Sequence, residues 1–97
     1  MIKNVSDPPS AHIQKTEDST EEMTITCTVE SQPVAKVTWL KDGETLKEET
    51  KNIVINKSAS RNTLNLVALD EEDFGNYTCV AENKLGMAED SVKISGM

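Results

Sequence analysis

Asp73-Phe74-Gly75-Asn76-Tyr77-Thr78-Cys79-Val80-Ala81-Glu82-Asn83 is the stretch on which the architecture turns. Tyr77, Cys79 and Ala81 share one parity, while Asn76, Thr78, Val80 and Glu82 share the other. That alternation is the mark of a β-strand with one buried face, because successive side chains leave a strand on opposite sides. Gly75 permits a tight approach into the strand. Behind it, Asn83-Lys84-Leu85-Gly86 reads as a hairpin loop with Gly86 free to take positive φ.

Outward from this strand the same period recurs. Met23, Ile25, Cys27 and Val29 alternate with Thr24, Thr26 and Thr28; Val37 and Trp39 alternate with Lys36, Thr38 and Leu40, and Asp42-Gly43 then supplies a tight reversal. Ile53 and Ile55 share a face, as do Leu64 and Leu66, with Leu69 closing that segment and Val92 and Ile94 burying the last one. With a first strand near Ala11 to Gln14, the chain holds about seven to eight strands, the pattern of an all-β sandwich. Ala68 to Phe74 has room for one helical turn at a corner between strands. Asp90 breaks the pattern by sharing the parity of Val92 and Ile94, and is expected near the open end of the sandwich, in reach of water. Pro8-Pro9 is expected to stop regular structure, leaving residues 1–7 as a leader or linker and 8–97 as a single domain excised from a longer chain.

Cys27 and Cys79 lie 52 positions apart with Trp39 between them. A disulfide needs Cα atoms about 5.5–6 Å apart, a separation that inward residues on two packed sheets can supply. A bridge closing so long a loop would stabilise the fold by about 4 kcal/mol in the chain-entropy model. Two reduced core thiols are the alternative. No Cys-x-x-Cys redox pair occurs, and two distant cysteines with a single histidine form no recognisable zinc set.

Cys27, Trp39, Leu64, Asp73-x-Gly75-x-Tyr77-x-Cys79 and Asn83-x-x-Gly86 together resemble the immunoglobulin superfamily, intermediate (I-set) type. The resemblance spans Pro8 to Ser95 and implies a two-sheet Greek-key sandwich. Trp39 would pack on the Cys27–Cys79 bridge, and Tyr77, two residues before the second Cys, would form the tyrosine corner, its hydroxyl bonding back to upstream backbone. Only 39 residues separate Trp39 from Cys79, too few for the two extra strands of a variable-type domain. Asp73 is placed to pair with a cation at the sandwich base, with Lys51 and Arg61 as the choices.

Composition narrows the function. A formal charge of −7 disfavours nucleic acid and acidic lipid surfaces as partners. No apolar run approaches the roughly 20 residues that span a bilayer, so direct membrane insertion by this segment is not expected. The acidic run Asp70-Glu71-Glu72-Asp73 lacks the alternating oxygen ligands and glycine of a calcium loop, and reads as a solvated turn. His12 is the sole histidine, and the four glycines are scattered at turns rather than gathered into a phosphate-cradling loop. No enzyme activity, cofactor or metal is expected.

The resemblance implies action by presenting sheet faces and loops to other proteins, a second copy of the chain included, or by spacing neighbouring domains. An extracellular adhesion or receptor module is one setting; the wording from Asp73 to Asn83 resembles neural cell-adhesion domains. An intracellular domain of a giant muscle or cytoskeletal protein of the titin and twitchin kind is another, and a secreted immune recognition protein a third. Three sequons, at Asn4, Asn56 and Asn76, favour the extracellular settings, with Asn56 expected in a loop. By parity Leu40 and Val80 point outward on one sheet among Thr38, Thr78 and Glu82, an apolar pair with a polar rim suited to an interface. Leu85 and Met87 at the last hairpin form a second interface candidate, suited to a contact with a neighbouring domain.

Overall fold

The computed structural model describes residues 7–19, 21–46, 53–58 and 60–95. Strands β1 (Asp7–Glu17), β2 (Met23–Gln32), β6 (Arg61–Leu66) and β5 (Ile53–Lys57) form one antiparallel sheet in the order β1-β2-β6-β5. β4 (Glu44–Thr45), β3 (Lys36–Lys41), β7 (Gly75–Asn83) and β8 (Gly86–Ile94) form the other, in the order β4-β3-β7-β8. The strand period follows from the sequence: β2 buries Met23, Ile25, Cys27 and Val29, while β7 buries Tyr77, Cys79 and Ala81. Their inward rows meet in a single core with Val37, Trp39, Ile53, Leu64, Leu66 and Ile94.

Cys27 and Cys79 are bridged across the two sheets with Cα atoms 6.4 Å apart. Trp39 stands directly opposite Cys79 in the β3–β7 register, so the buried indole lies beside the bridge. Asn62 is a polar residue within the core: it faces inward opposite Cys27, is 1% exposed, and neither amide atom has a partner among the described residues, a condition the Trp39 indole N–H shares. A buried amide in that condition costs about 1–3 kcal/mol, a charge that the surrounding core offsets.

Two expectations about the chain's path need correcting. Pro8 and Pro9 do not stop regular structure; β1 begins at Asp7, and its register against β2 shifts between Asp7 and Ser10. The prolines occupy that irregularity on an edge strand, where their missing N–H groups break no regular ladder. Asp90 is not at an open end. Its carboxylate lies in the seam between β8 and β1, accepting from the Ile13 N–H at 2.9 Å and the Ser91 N–H at 3.0 Å. An inward-parity carboxylate is tolerated because it ties the first strand of one sheet to the last strand of the other.

The sandwich base is organised around the Asp73-to-Tyr77 segment. Glu71–Asp73 forms the one-turn 3-10 helix foreseen at this corner. Asp70 and Asp73 cap it reciprocally, the Asp70 carboxylate accepting from the Glu71 N–H at 2.7 Å and the Asp73 carboxylate from the Asp70 N–H at 2.9 Å. The Tyr77 hydroxyl donates to the Asp73 carbonyl at 2.5 Å, closing the tyrosine corner. Arg61 is not the cation at this base: it opens β6 opposite Thr28, a strand's length from the Leu66 end that leads to the corner, while Lys51 lies outside the described residues. Lys41 takes the place instead, donating to the Glu72 carbonyl and standing 6.0 Å from the Tyr77 ring centroid.

Asp42 locks the β3–β4 turn to the same corner. It adopts φ 50° ahead of Gly43 at φ 87°, a pair of positive angles that suits a two-residue reversal. Its N–H donates to the Asn76 carbonyl at 2.8 Å, and its carboxylate accepts from the Asn76 N–H at 2.9 Å. The carboxylate therefore lies over Gly75, where a Cβ would sit 2.6 Å from one Asp42 oxygen, and where φ is 150°.

Gly75→Ala is expected to cost about 2 kcal/mol through backbone strain and a displaced carboxylate. In denaturant unfolding, Asp42→Ala combined with Gly75→Ala should cost less than the sum of the single changes, since both break one contact. Burial, followed by the charges of Asp73 and Asp42, pushes the Tyr77 phenol well above its ordinary value. The protonated phenol is thus the folded state's form. Its contribution is complete below about pH 10, where an unfolded tyrosine begins to ionise, and is lost as pH rises beyond that. Tyr77→Phe should cost about 1 kcal/mol at neutral pH and flatten the alkaline fall in stability measured by unfolding.

Candidate protein-binding face

The outward parity of the second sheet forms a small grid. Register places Leu40 beside Thr78 and Ser91, Thr38 beside Val80 and Glu89, and Lys36 beside Glu82 and Met87. The strands turn these residues outward because their neighbours Val37, Trp39, Cys79 and Ala81 are claimed by the core. Thr38, Leu40, Val80, Met87, Ala88 and Glu89 line an open groove of about 500 Å3 on this face. Leu40 and Val80 are half-buried, whereas Met87 is 63% exposed. At one margin the Thr78 and Ser91 hydroxyls lie 2.8 Å apart in a mutual hydrogen bond. At another, Lys36 stands across from Glu82, an opposite-charge cross-strand pair.

The structure regroups the interface candidates. Met87 joins Leu40 and Val80, while Leu85 does not. Leu85 sits at the tip of the two-residue β7–β8 loop, 45% exposed, between the paired Asn83 and Gly86. Asn83 shapes that loop by accepting from the Leu85 N–H at 2.8 Å and donating to the Pro33 carbonyl at 3.0 Å. Exposed Val34 stands in the β2–β3 loop that Asn83 reaches. Glu89 and Ala88 are the groove residues that sequence reasoning missed. Glu89 shares the outward parity of Met87, so the signal was present, but cross-strand register was needed to set it beside Val80. A second hollow, of about 550 Å3, lies where β1 meets β2 and has a mixed lining, with Ser10, Glu30, Gln32 and Ser60 beside Pro8, Val29 and Val34.

The sequons lie on opposite faces. Asn56 is exposed on strand β5 rather than in a loop, its outward parity placing it across from Thr63 on the first sheet. Asn76 is exposed on the outer face of the second sheet, four residues before Val80 and so about 13 Å along the strand. Asn4 lies outside the described residues. His12 is exposed on the outer face of the first sheet, across from Thr28.

Among the described residues no helix is long and apolar enough to cross a membrane, and no group of three acidic, histidine or cysteine side chains is placed to hold a metal ion.

Two sheets, of four strands each among the described residues, with an inter-sheet bridge, a buried Trp and a tyrosine corner, define an immunoglobulin-type domain. The chain belongs to the immunoglobulin I-set family, whose domain model matches residues 6–95. It is 35% identical over 74 residues to smooth-muscle myosin light chain kinase of Gallus gallus, 36% over 67 residues to the muscle M-line assembly protein unc-89 of Caenorhabditis elegans, and 38% over 66 residues to neural cell adhesion molecule 1 of Bos taurus. These matches cover 76%, 69% and 67% of this chain but only 4%, 1% and 8% of the relatives, so the likeness is to one domain of much longer proteins. Among solved structures it superposes on titin M4 with a TM-score of 0.82 at 22% identity, covering 97% of this chain and all of that one. Titin Z1Z2 in complex with telethonin gives a TM-score of 0.80 at 23% identity over 91% of this chain and 47% of that one.

If the grid serves a partner rather than the core, its outermost member should be dispensable to folding. Met87→Ser is expected to shift unfolding free energy by less than about 0.5 kcal/mol. Leu64→Ala on the inward row should cost about 2–5 kcal/mol in the same denaturant titration.

Proposed function

We propose that this domain is a non-catalytic protein-binding module of an extracellular adhesion or receptor protein, and that it engages its partner through the outer face of the β4-β3-β7-β8 sheet. The observation that carries the reading is the groove itself. Leu40, Val80 and Met87 gather into one apolar centre with a rim of Thr38, Thr78, Ser91, Glu82 and Lys36, on a face the core does not use. The inter-sheet bridge suits an oxidising compartment. Asn56 and Asn76 are both exposed, and a sugar on Asn56 would lie on the opposite face from the groove. The likeness to a neural cell adhesion molecule supports the same setting.

A second reading is favoured by a specific observation: two of the relatives and many of the similar solved structures are muscle proteins. In that reading the domain works inside the cell, in a myosin-kinase-like or M-line-like chain, and binds protein partners as titin Z1Z2 does telethonin.

Intact mass with and without alkylation, on the domain secreted from eukaryotic cells, is the discriminating measurement. A bridged, unalkylated product carrying glycan at Asn56 or Asn76 is expected. Free thiols without glycan would move the assignment to the muscle class. For the face, Leu40→Ala with Val80→Ala is expected to abolish partner binding by the parent protein while the domain stays folded; unchanged binding would remove the face from consideration.

A further inference from the structure

We infer that the groove takes one bulky aliphatic side chain from an extended, basic segment of a partner protein, with a lysine or arginine of that segment set against Glu89. This rests on the face assigned above and adds the chemistry of its occupant. Size comes first. Adjacent strands lie about 4.8 Å apart and same-face residues about 6.8 Å apart along a strand, so the grid spans roughly 10 by 14 Å between its outermost Cα positions. That is a fraction of the roughly 800 Å2 per partner that a stable protein–protein contact buries. A single side chain and its flanks fit such a footprint; a second copy of this domain would leave most of its contact area elsewhere.

Charge gives the second constraint. Leu40, Val80, Met87 and Ala88 make the lining apolar, and Met87 adds a flexible side chain that can adapt to an aliphatic guest. Among the described residues Glu89 is the only charged one of that lining, and none of the described lysines or arginines lines the groove with it. At the rim Lys36 and Glu82 stand opposite one another and offset each other's charge, and Lys93 lies four residues beyond Glu89 on the same outer row, so Glu89 is the charge set against the groove itself. The whole chain carries −7, which repels a second copy and attracts a basic segment over a longer range.

The test uses the domain with labelled methyl groups and two synthetic hexapeptides, each with one central leucine, flanked by lysines in one and glutamates in the other. With the lysine peptide added to about 1 mM, a concentration that registers even weak binding, the methyl signals of Leu40, Val80 and Met87 should shift progressively. Glu89→Lys, at an exposed position, should weaken that binding at least tenfold and confer binding of the glutamate peptide. Met87→Ser should weaken the lysine peptide while leaving the fold intact. Equal response to both peptides, or no effect of Glu89→Lys, would overturn the occupant's chemistry and leave the face standing. Shifts by neither peptide, or shifts confined to residues away from the groove, would overturn both.

Discussion

The Cys27–Cys79 bridge joins the central part of one sheet to that of the other, and the remaining architecture is organised by where it sits. Because side chains alternate along a strand, placing these two residues inward places every second residue of β2 and β7 inward as well. Trp39 is brought beside the bridge by its register with Cys79, and Ile25 and Leu64 pair across the first sheet one step away. A one-residue slip in either sheet would turn its buried row to solvent and separate the sulfurs. The covalent link and the hydrophobic pattern thus specify the same register independently, the agreement between local and global preferences that makes a fold unique.

At the base, a set of short polar contacts does what a single ion pair was expected to do. Asp73 spends its carboxylate on the Asp70 N–H and its carbonyl on the Tyr77 hydroxyl, so the residue acts through backbone geometry rather than through a distant cation. Asp42 holds both backbone groups of Asn76 and so occupies the space above Gly75. The spacing Asp73-x-Gly75-x-Tyr77 is then intelligible residue by residue. Asp73 caps a helical turn, Gly75 leaves room for a carboxylate from another strand pair, and Tyr77 closes the corner from inside the core. Lys41 completes the arrangement from above the Tyr77 ring.

The outward parity is free of these demands, which is why one scaffold serves relatives as different as a neural adhesion molecule and a muscle M-line protein. In this chain that freedom has been used unevenly. One outer face is mostly polar, with Thr24, Thr26, Thr28, Thr63 and Asn56 in adjoining rows and Val54 as its exposed apolar residue, and the other gathers Leu40, Val80 and Met87 around a groove. The two exposed sequons fall one on each face, so sugar on Asn56 and contact through the groove are compatible, whereas sugar on Asn76 would stand on the contact side.

Most of the fold was legible in the residues themselves. The sequence pattern located every described strand except the two-residue β4 (Glu44–Thr45), too short to show a period; the Asp42-Gly43 and Asn83-to-Gly86 turns were marked by residues that tolerate positive φ, and the corner helix was anticipated between Ala68 and Phe74. These features are local, set by steric preference and by the parity of a strand, and so are determined by the sequence alone. The tertiary structure decided what depends on partners distant in the chain. It sent Asp90 to the Ile13 N–H, replaced Arg61 by Lys41 at the base, carried β1 through its prolines along an edge, and parted Leu85 from Met87. The candidate site belongs to this second kind. Parity showed that Leu40 and Val80 face outward, but only the alignment of three strands brought Met87 and Glu89 beside them, because neighbours across a sheet are set by register rather than by order along the chain.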